Sequence, residues 1–304
     1  MKETIRPLVL EILDESMVHV DEPMSRHTTF RIGGPADLLL TPERVEEIAE
    51  LCCLFRQRGV PYLVLGNGSN ILVGDGGIRG VVIQLGNRFA NCEVVGDTLK
   101  AQGGIKLSRL AGVALENSLS GLEFAAGIPG TFGGALFMNA GAYDGEMSQV
   151  VKEVIYLDGA GDVQTATNED CSFGYRTSIF SKNPDLIVLG GTVKLEQGNQ
   201  AEIRAKMDDL AQRRVSKQPL HLPSAGSTFK RPEGHFAGKL IQDAGLMGLR
   251  VGGASVSDKH AGFVVNDQGA TAKDVRQLME EVQRRVYQAY GVMLEPEVRF
   301  LGEF

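Results

Sequence analysis

Residues 65–73 read LGNGSNILV, and residues 127–138 read GIPGTFGGALFM. The first stretch follows an apolar run at residues 62–65 that is typical of a strand. Closely spaced glycines allow successive main-chain N–H groups to converge on an anion such as a pyrophosphate. The stretch is not a Rossmann fingerprint, since the third glycine and the helix are missing, nor a P-loop, since no Gly-Lys-Ser/Thr follows. Taken alone, it is equally typical of a tight turn in a β-rich domain.

The second stretch favours the binding interpretation of the first. Residues 128–135 are expected to form neither a regular helix nor a strand, which leaves a second piece of main chain without large side chains beside the same cavity. Two such segments, about sixty residues apart, fit a long diphosphate cofactor better than two unrelated turns do. We therefore expect the glycine-rich segments to form a cofactor site.

Glycine is also the unusual feature of the composition. It makes up 38 of 304 residues, and 19 of these lie between Gly59 and Gly145, whereas its usual share in proteins is about 7%. The net charge of −7 has the wrong sign for a protein that coats nucleic acid non-specifically. Residues 204–231 differ from the rest, with seven basic and two acidic side chains, and this local excess suits an anionic ligand.

The cysteines and the N-terminal sequence bear on the cellular compartment. Four cysteines with no C-x-x-C pair are too few for a disulfide framework, so a reducing compartment, the cytoplasm, is expected. No metal site is expected, because the five histidines show no metal-ligand spacing. Acidic residues interrupt the apolar N-terminal segment, which argues against a signal peptide, and no apolar run is long enough to span a membrane.

Apolar periodicity predicts mixed helices and strands. A strand at 36–40, a helix that opens at Thr41–Pro42 and a strand at 62–65 form a strand-helix-strand unit. A helix at 105–115 precedes the second glycine-rich stretch, and an antiparallel meander is predicted over 150–195.

The rest of the chain is predicted to be mainly helical. A long helix is expected to bury Ile203, Met207, Leu210 and Ala211, and a shorter one covers 236–244. The last helix opens at Thr271 with Asp274 three residues on, in the pattern of a capping box. A strand-like segment, 295–301, follows it.

Three polar residues are candidates for chemistry, each with an ordinary alternative. Arg176 lies beside a glycine and a tyrosine, and it is either a surface residue or a planar cation that binds a carboxylate through two hydrogen bonds. Ser227 follows Gly226 outside any G-x-S-x-G elbow, so it is a candidate proton donor rather than a triad nucleophile. Glu297, which follows a proline, is a candidate carboxyl group, although glutamates near a terminus are usually solvated.

Taken together, six motifs resemble the UDP-N-acetylenolpyruvoylglucosamine reductase family, flavoenzymes of bacterial peptidoglycan precursor synthesis. The resemblance runs from about His27 to Leu301, and the order and spacing of the motifs make it more specific than any one of them. No inserted loop follows GYRTSIFSK, so the chain is similar to the shorter of the two family types, which lacks a tyrosine loop over the substrate. The motifs are HTTFRIGGPADLLL (27–40), LGNGSNILV (65–73), GIPGTFGGALFMNAGAYDGEM (127–147), GYRTSIF (174–180), SKQPLHLPSAGSTFKRPEGHFAGKLI (216–241) and EPEVRFLG (295–302).

The resemblance implies an α+β fold. It consists of an FAD-binding domain of the p-cresol methylhydroxylase/vanillyl-alcohol oxidase type and a separate α+β substrate-binding domain. The implied boundaries are 1–203 for the FAD-binding domain, in subdomains of about 1–70 and 71–203, then 204–292 for the substrate-binding domain and 293–304 for a C-terminal strand that returns to the active site.

The resemblance also implies site residues. Arg176, Ser227 and Glu297 match the catalytic arginine, serine and glutamate, and Tyr175 is a neighbouring active-site residue. The basic residues Lys217, Lys230 and Arg231 are candidates for contacts with the substrate diphosphate. Non-covalent FAD would be bound by Gly66, Asn67, Gly68, Ser69, Asn70, Gly127, Ile128, Pro129, Gly130, Thr131, Gly133, Gly134 and Ala135.

The implied reaction is the NADPH-dependent reduction of UDP-N-acetylglucosamine enolpyruvate to UDP-N-acetylmuramate, with FAD carrying the hydride. Reduction of the double bond leaves enolate-like negative charge. Arg176 and Glu297 would stabilise that charge, while Ser227 delivers a proton. NADPH and the nucleotide sugar would use one site in turn. The implied protein is a cytoplasmic monomer that neither binds nucleic acid nor inserts into a membrane.

Two alternatives stay open at this point. An FAD-linked oxidase on the same scaffold would be reoxidised by oxygen, but no His or Cys attachment motif for covalent flavin is evident. A nucleotide-sugar-binding module without catalysis would need no flavin, so the visible absorption spectrum of the purified protein separates it from both enzymes.

Overall fold

The computed structural model describes residues 1–304 and has mixed helices and strands, which confirms the α+β class. The helices are α1 (Lys2–Val9), α2 (Val45–Arg58), α3 (Leu107–Glu116), α4 (Phe132–Met138), α5 (Ile179–Lys182), α6 (Gln200–Lys217), α7 (Ala237–Asp243) and α8 (Ala272–Tyr290). The strands are β1 (Val18–Pro23), β2 (Pro35–Leu40), β3 (Tyr62–Leu65), β4 (Ile71–Val73), β5 (Ile78–Gln84), β6 (Cys92–Val95), β7 (Thr98–Gln102), β8 (Leu119–Ser120), β9 (Gly141–Ala142), β10 (Gly145–Glu146), β11 (Val151–Leu157), β12 (Val163–Thr167), β13 (Ile187–Lys194), β14 (Glu196–Gln197), β15 (Arg250–Val251), β16 (Ala254–Val256), β17 (Val264–Asn266) and β18 (Arg299–Leu301).

The chain divides into two compact units, each assembled from three separate ranges. Unit 1 comprises Met1–Val20, Leu38–Asn67 and Gly80–Arg213, and unit 2 comprises Asp21–Asp37, Gly68–Arg79 and Arg214–Phe304. The predicted division into an FAD-binding domain (1–203), a substrate-binding domain (204–292) and a C-terminal strand (293–304) stays a prediction.

Unit 1 contains a five-stranded antiparallel sheet with the order β12-β11-β13-β7-β6. The predicted meander over 150–195 is confirmed, because β11 pairs with both β12 and β13. Helix α3 packs its apolar stripe into the core of this part of the unit, together with Phe132 and Phe180. A second core in the unit surrounds α2.

The strand-helix-strand prediction is confirmed as β2-α2-β3, but the predicted start of the helix is wrong. Helix α2 begins at Val45 rather than at Thr41–Pro42. The Glu47 carboxylate accepts hydrogen bonds from the main-chain N–H groups of Glu43 and Arg44, at 2.9 and 3.1 Å. These two bonds cap the helix at Arg44.

In the four-stranded sheet β1-β2-β5-β3, strand β5 lies between β2 and β3.

Residues 128–135 differ from the prediction in their second half. Thr131 caps a helix, and its hydroxyl accepts a hydrogen bond from the Gly134 N–H, so α4 begins at Phe132. A short helix is compatible with Gly133 and Gly134 because Phe132 and Leu136 are fully buried and hold it in place. Only 128–131 is irregular, as expected.

Unit 2 contains the three-stranded sheet β15-β16-β17 and helices α7 and α8. The predicted capping box of α8 is confirmed, because the Thr271 hydroxyl accepts from the Asp274 N–H at 3.1 Å. Strand β18 pairs in parallel with β4, with Arg299 opposite Ile71. The core of the unit includes the predicted stripe of α8, namely Val275, Leu278, Met279, Val282 and Val286.

Helix α6 has a narrower buried face than predicted. Ile203 is buried, Met207 and Leu210 are half-buried, and Ala211 is exposed. Charged and amide side chains occur on every side of this helix, so it has no broad apolar stripe to bury.

Candidate functional site

In unit 1, the two glycine-rich segments meet where Gly66 approaches Thr131. A Cβ atom on Gly66 would lie 2.2 Å from the Thr131 hydroxyl oxygen, so residue 66 has no room for a side chain. The Asn67 side-chain amide donates to the main-chain oxygen of Pro129 over 2.5 Å. The Gln84 amide donates to the oxygen of Gly66 over 3.1 Å. The structure therefore brings together the segments that the sequence predicted to share one cavity.

The second half of the first loop, residues 68–70, belongs to unit 2. Gly68 has φ +61°, and a Cβ there would lie 2.1 Å from the main-chain oxygen of His27. The Thr29 N–H donates to the Gly68 oxygen at 3.2 Å. Residue 68 must therefore be glycine for both conformational and steric reasons.

The loop suits the diphosphate of a flavin dinucleotide. The main-chain N–H groups of Asn67, Gly68 and Ser69 have no acceptor within the protein. Successive N–H donors on a glycine-containing loop form a concavity that favours anions. Gly66 and Gly68, which alternate with Asn67 and Ser69, have no side chains that could cover these donors. The role of residues 66–70 in holding the diphosphate of FAD stays a prediction, and these free N–H donors are compatible with it.

The structure gives a different reason for the glycine at position 133. The Gly133 N–H donates to the oxygen of Gly103 at 2.8 Å, and a Cβ on Gly133 would lie 3.1 Å from that oxygen. Its small size is therefore explained by packing within unit 1. Of the other residues predicted to contact flavin here, Ala135 is buried, while Gly127, Ile128, Pro129, Gly130 and Gly134 are partly or fully exposed.

Arg176 lies at the tip of a tight turn in unit 1. Gly174 and Thr177 exchange two main-chain hydrogen bonds, at 3.0 and 3.2 Å, which leaves Tyr175 and Arg176 at the tip. Arg176 has φ +55°, a left-handed conformation that costs of order 1 kcal/mol for a residue with a side chain. Its guanidinium donates to the Gly141 oxygen at 3.2 Å and lies 5.4 Å from the ring centre of Tyr175.

Two buried polar residues hold this turn, and the sequence analysis did not single out either. Asn139 ends α4 in a left-handed conformation, and its amide donates to the Gly174 oxygen at 3.2 Å. The Ser178 hydroxyl, which is fully buried, donates to the Phe137 oxygen at 2.6 Å. Since buried polar groups are costly without partners, these bonds fix the backbone on both sides of Arg176.

In unit 2, Ser227 is exposed on a loop whose next residue, Thr228, is buried. Gly226 has φ +75°, which turns the chain just before the serine. The Thr228 N–H donates to the Gly262 oxygen, and the Thr228 hydroxyl accepts from the Val264 N–H, both at 2.9 Å. The loop that carries Ser227 is therefore fixed to the neighbouring segment by a buried side chain.

Glu297 lies beside the Ser227 loop in unit 2. The Glu297 N–H donates to the Thr228 oxygen at 2.9 Å, and the Lys230 N–H donates to the Glu295 oxygen at 2.8 Å. These two bonds form an antiparallel bridge between Phe229 and Pro296. The structure thus joins two predicted catalytic residues, Ser227 and Glu297, through adjacent segments of main chain.

The candidate diphosphate residues have varied surroundings. The Lys230 ammonium lies 2.5 Å from the Glu295 carboxylate, and the Arg231 guanidinium lies 4.0 Å from the ring centre of Phe236. Lys217 is exposed at the end of α6, close enough to His260 for its charge to contribute to lowering the pKa of that imidazole, after the larger effect of burial.

Lys259 adds a positive charge that the sequence analysis did not select. Its ammonium donates to the Val215 oxygen at 2.5 Å, in the last turn of α6. That turn also carries Lys217, so two lysines from segments distant in sequence lie close to the same end of one helix. No helix is long and apolar enough to cross the bilayer, and no group of three or more His, Cys, Asp or Glu side chains is placed to bind a metal ion.

Comparison with known proteins gives a consistent assignment. The FAD binding domain family matches residues 36–167, and the C-terminal domain family of UDP-N-acetylenolpyruvoylglucosamine reductase matches residues 218–301. The UDP-N-acetylenolpyruvoylglucosamine reductase of Clostridioides difficile is 52% identical over 295 residues, which covers 97% of each chain.

The chain belongs to the UDP-N-acetylenolpyruvoylglucosamine reductase family. The reductase of Caldanaerobacter subterraneus is 49% identical over the full length of both chains. The crystal structure of the reductase (MurB) from Thermus caldophilus covers 93% of this chain and 98% of its own, with 37% identity and a TM-score of 0.79. The family, the oxidoreductase class and the FAD-binding domain that the motifs predicted are thereby confirmed.

Proposed function

We propose that this member of the reductase family reduces UDP-N-acetylglucosamine enolpyruvate to UDP-N-acetylmuramate in peptidoglycan precursor synthesis. Arg176, Ser227 and Glu297 would act on the enolpyruvyl group. The observation that carries this proposal is the pairing of the Ser227 loop with the Glu297 segment through the 2.9 Å bond between Thr228 and Glu297. The residues that carry this hydroxyl and this carboxyl group therefore belong to adjacent segments of main chain in unit 2.

The residues have distinct chemical roles in this proposal. When bound, FAD would supply the hydride chemistry, with NADPH as the source, for reduction at the terminal carbon of the enolpyruvyl double bond. Negative charge then develops at the adjacent carbon and spreads into the carboxylate. Arg176 would bind that carboxylate with its permanent positive charge, and Glu297, in its protonated form, would donate a hydrogen bond to it.

Ser227 would complete the addition. Its hydroxyl proton passes to the carbon that bears the negative charge, which forms the second new C–H bond, and the serine regains a proton from solvent. Because Ser227 is exposed on its loop, its hydroxyl is accessible to a ligand. The buried Thr228 would keep the loop in place while Ser227 gives up and regains its proton.

We propose that Tyr175, Lys217, Lys230 and Arg231 bind the nucleotide-sugar diphosphate. The excess of basic residues in 204–231 supports this assignment, because positive charge attracts an anionic substrate to an otherwise acidic protein. Lys217 has the stronger support, since Lys259 raises the local positive charge near the end of α6.

We further propose that the protein is a cytoplasmic monomer. All four cysteines are free, and burial raises the pKa of both Cys52 and Cys171 to about 11, as expected for unreactive thiols. Light scattering during size-exclusion chromatography tests the oligomeric state, with a mass near 32.8 kDa expected.

The central experiment separates the two half-reactions under anaerobic conditions. NADPH is added to the flavin-loaded protein and the visible absorption is expected to bleach; the enolpyruvyl substrate is then added and the absorption is expected to recover. Replacement Ser227→Ala is expected to leave the bleaching rate nearly unchanged and to slow recovery by about 10²- to 10⁴-fold. Equal slowing of both steps would refute the role of Ser227, and rapid recovery with oxygen but none with the enolpyruvyl substrate would indicate an oxidase.

A further inference from the structure

Asn70, the last residue of the glycine-rich loop, is bonded to the Glu297 segment through both its side chain and its main chain. Its side-chain nitrogen Nδ2 donates to the Glu297 oxygen at 3.1 Å. Its main-chain oxygen accepts from the Arg299 N–H at 3.0 Å. The main-chain oxygen of Glu297 can only accept a hydrogen bond, so the atom of the Asn70 side chain that faces it must be the nitrogen. One residue of the loop therefore holds the peptide groups on both sides of Val298.

The peptide groups of Glu297 are consequently fixed on two sides within unit 2. The Glu297 N–H donates to the main-chain oxygen of Thr228, and the main-chain oxygen of Glu297 accepts from the Asn70 side-chain amide. Thr228 is itself fixed by Gly262 and Val264. The direction in which the Glu297 side chain leaves the backbone therefore depends on these two partners, one beside Ser227 and the other in the loop.

Asn70 also links this arrangement to the loop that would bind the diphosphate. It directly follows Ser69, whose N–H belongs to the run of donors without a protein acceptor. Parallel pairing of β4 with β18 begins at the next residue, Ile71. A ligand that restrains residues 67–69 thus restrains Asn70 and, through its amide, the backbone of Glu297.

We infer that Asn70 is a positioning residue for Glu297 and couples occupation of the loop to the order of residues 295–298. This inference rests on the proposed role of Glu297, and it adds a function to a residue that the family resemblance places among the flavin contacts. Asn70 acts through Glu297 and not on the substrate. Loss of its amide donor should therefore slow the step that needs Glu297 by a much larger factor than any change in flavin reduction by NADPH.

The first test measures backbone order, without turnover. Asn70→Asp keeps the size of the side chain but removes the donor to the Glu297 oxygen. The matched control is Asn266→Asp, because the Asn266 amide also donates to a main-chain oxygen in unit 2, that of Phe30, at 3.2 Å. Hydrogen exchange followed by mass spectrometry is recorded for a peptide covering 294–304, with and without FAD.

In the wild-type protein and in Asn266→Asp, FAD is expected to slow exchange in 295–298 by about tenfold or more. In Asn70→Asp, the flavin-free protein is expected to exchange faster than wild type in this segment, and FAD is expected to slow it by less than about threefold. Equal protection by FAD in wild type and Asn70→Asp, at equal flavin occupancy, would overturn the inference. The inference would also be overturned if Asn70→Asp lost flavin binding while its flavin-free form exchanged hydrogen at the wild-type rate in 295–298. Asn70 would then serve only the cofactor.

The second test is a double-mutant cycle on reoxidation of the reduced flavin by the enolpyruvyl substrate. Asn70→Asp alone is expected to slow this step by about tenfold. In a protein that already carries Glu297→Gln, the same substitution is expected to slow the step by less than about twofold more. Full additivity would overturn the inference, because it would show that Asn70 acts independently of Glu297. If the wild-type reduced flavin is not reoxidised by this substrate, the proposed function fails instead, while the exchange experiment still tests the coupling.

Discussion

The contact of residues 66–67 with 129–131 in unit 1 and the pairing of 227–230 with 295–297 in unit 2 both join distant parts of the chain, but by different means. In unit 1 the segments approach because Gly66 has no side chain, and a Cβ there would lie 2.2 Å from Thr131. In unit 2 the segments are joined by main-chain hydrogen bonds, and particular side chains carry the chemistry. Substitutions should therefore affect cofactor affinity in the first region and individual reaction steps in the second.

The turn that carries Arg176 gives the largest expected effect, because the side chain proposed to bind the substrate carboxylate lies in unit 1. Arg176→Ala is expected to slow reoxidation of the reduced flavin by the enolpyruvyl substrate by about 10²- to 10³-fold, since the developing negative charge loses its cation. Arg176→Lys should recover only part of the rate, because an ammonium does not bind a carboxylate through two parallel bonds. Rapid-mixing absorption measurements would show this, and a wild-type rate in Arg176→Ala would exclude the assignment.

The unit 1 contact itself is tested by Gly66→Ala. The added Cβ forces Gly66 and Thr131 apart, and overpacking of about 1–3 kcal/mol corresponds to roughly five- to 150-fold weaker FAD binding. Titration of the flavin-free protein with FAD, followed by fluorescence, measures the change.

Gly112→Ala is the matched control for this variant, because Gly112 lies in α3 with no atom within 4 Å of an added Cβ. It should bind FAD as the wild type does. Equal affinity in the two variants would contradict the claim that the missing side chain at residue 66 permits the contact.

Thr228→Val tests the support beneath the unit 2 pairing. The substitution keeps the shape of the side chain but leaves the buried Val264 N–H without its acceptor, which should lower the free energy of unfolding by about 2 kcal/mol. Urea denaturation measures this loss. Thr228→Ser, which retains the hydroxyl, should be the more stable of the two variants, and the opposite order would argue against the hydrogen bond.

Glu123 tests the same contrast with a smaller expected effect on stability. Here a polar side chain, rather than a missing one, stabilises unit 1. It is buried, and its carboxylate accepts from Ser120 Oγ at 2.7 Å and lies 3.4 Å from the Lys206 ammonium. Burial alone would raise the pKa of this carboxyl, but its hydrogen bonds and the charge of Lys206 lower it below 4.5.

Because the pKa of Glu123 is lower in the folded chain than in the unfolded one, its stabilising effect is present above pH 4.5 and is lost as the pH falls through the folded value. Glu123→Gln is therefore expected to be about 1 kcal/mol less stable than wild type at pH 7. The difference should shrink below pH 4.5. Thermal unfolding at a series of pH values measures it, and a difference that grows in acid would contradict this account.

The parts of the fold that could be predicted from the sequence are those set by local periodicity and caps. The stripe of α8 and its capping box at Thr271 are local patterns, and both are confirmed. The start of α2 was missed because Glu47 competes with Thr41 as the capping group, and the apolar pattern does not rank two such caps. On α6 the predicted buried face holds for Ile203, Met207 and Leu210, which are buried or half-buried, but not for Ala211, because apolar spacing alone ignores the surrounding charged residues.

The glycine-rich segments could be located from the sequence because their signal is compositional. The sequence predicted that the two segments would lie beside one cavity, and the structure brings them together at Gly66 and Thr131, a contact that no sequence pattern specified. Asn139 and Thr228 were not predicted, because a single buried Asn or Thr has no local pattern and its role depends on partners far along the chain. The one sequence signal for Asn139 and Thr228 was their place in the chain, because each lies in or beside a motif that carries a candidate site residue.

The parallel pairing of β4 with β18 has a consequence for protein synthesis. The ribosome makes residues 71–73 more than two hundred residues before 299–301, which are their partners. Throughout that interval the apolar strand ILV has no β18 beside it, and Asn70 has no Glu297 oxygen to bind. Contacts of such long range are slow to form. Nascent chains should therefore acquire flavin only after residues 299–301 have been translated.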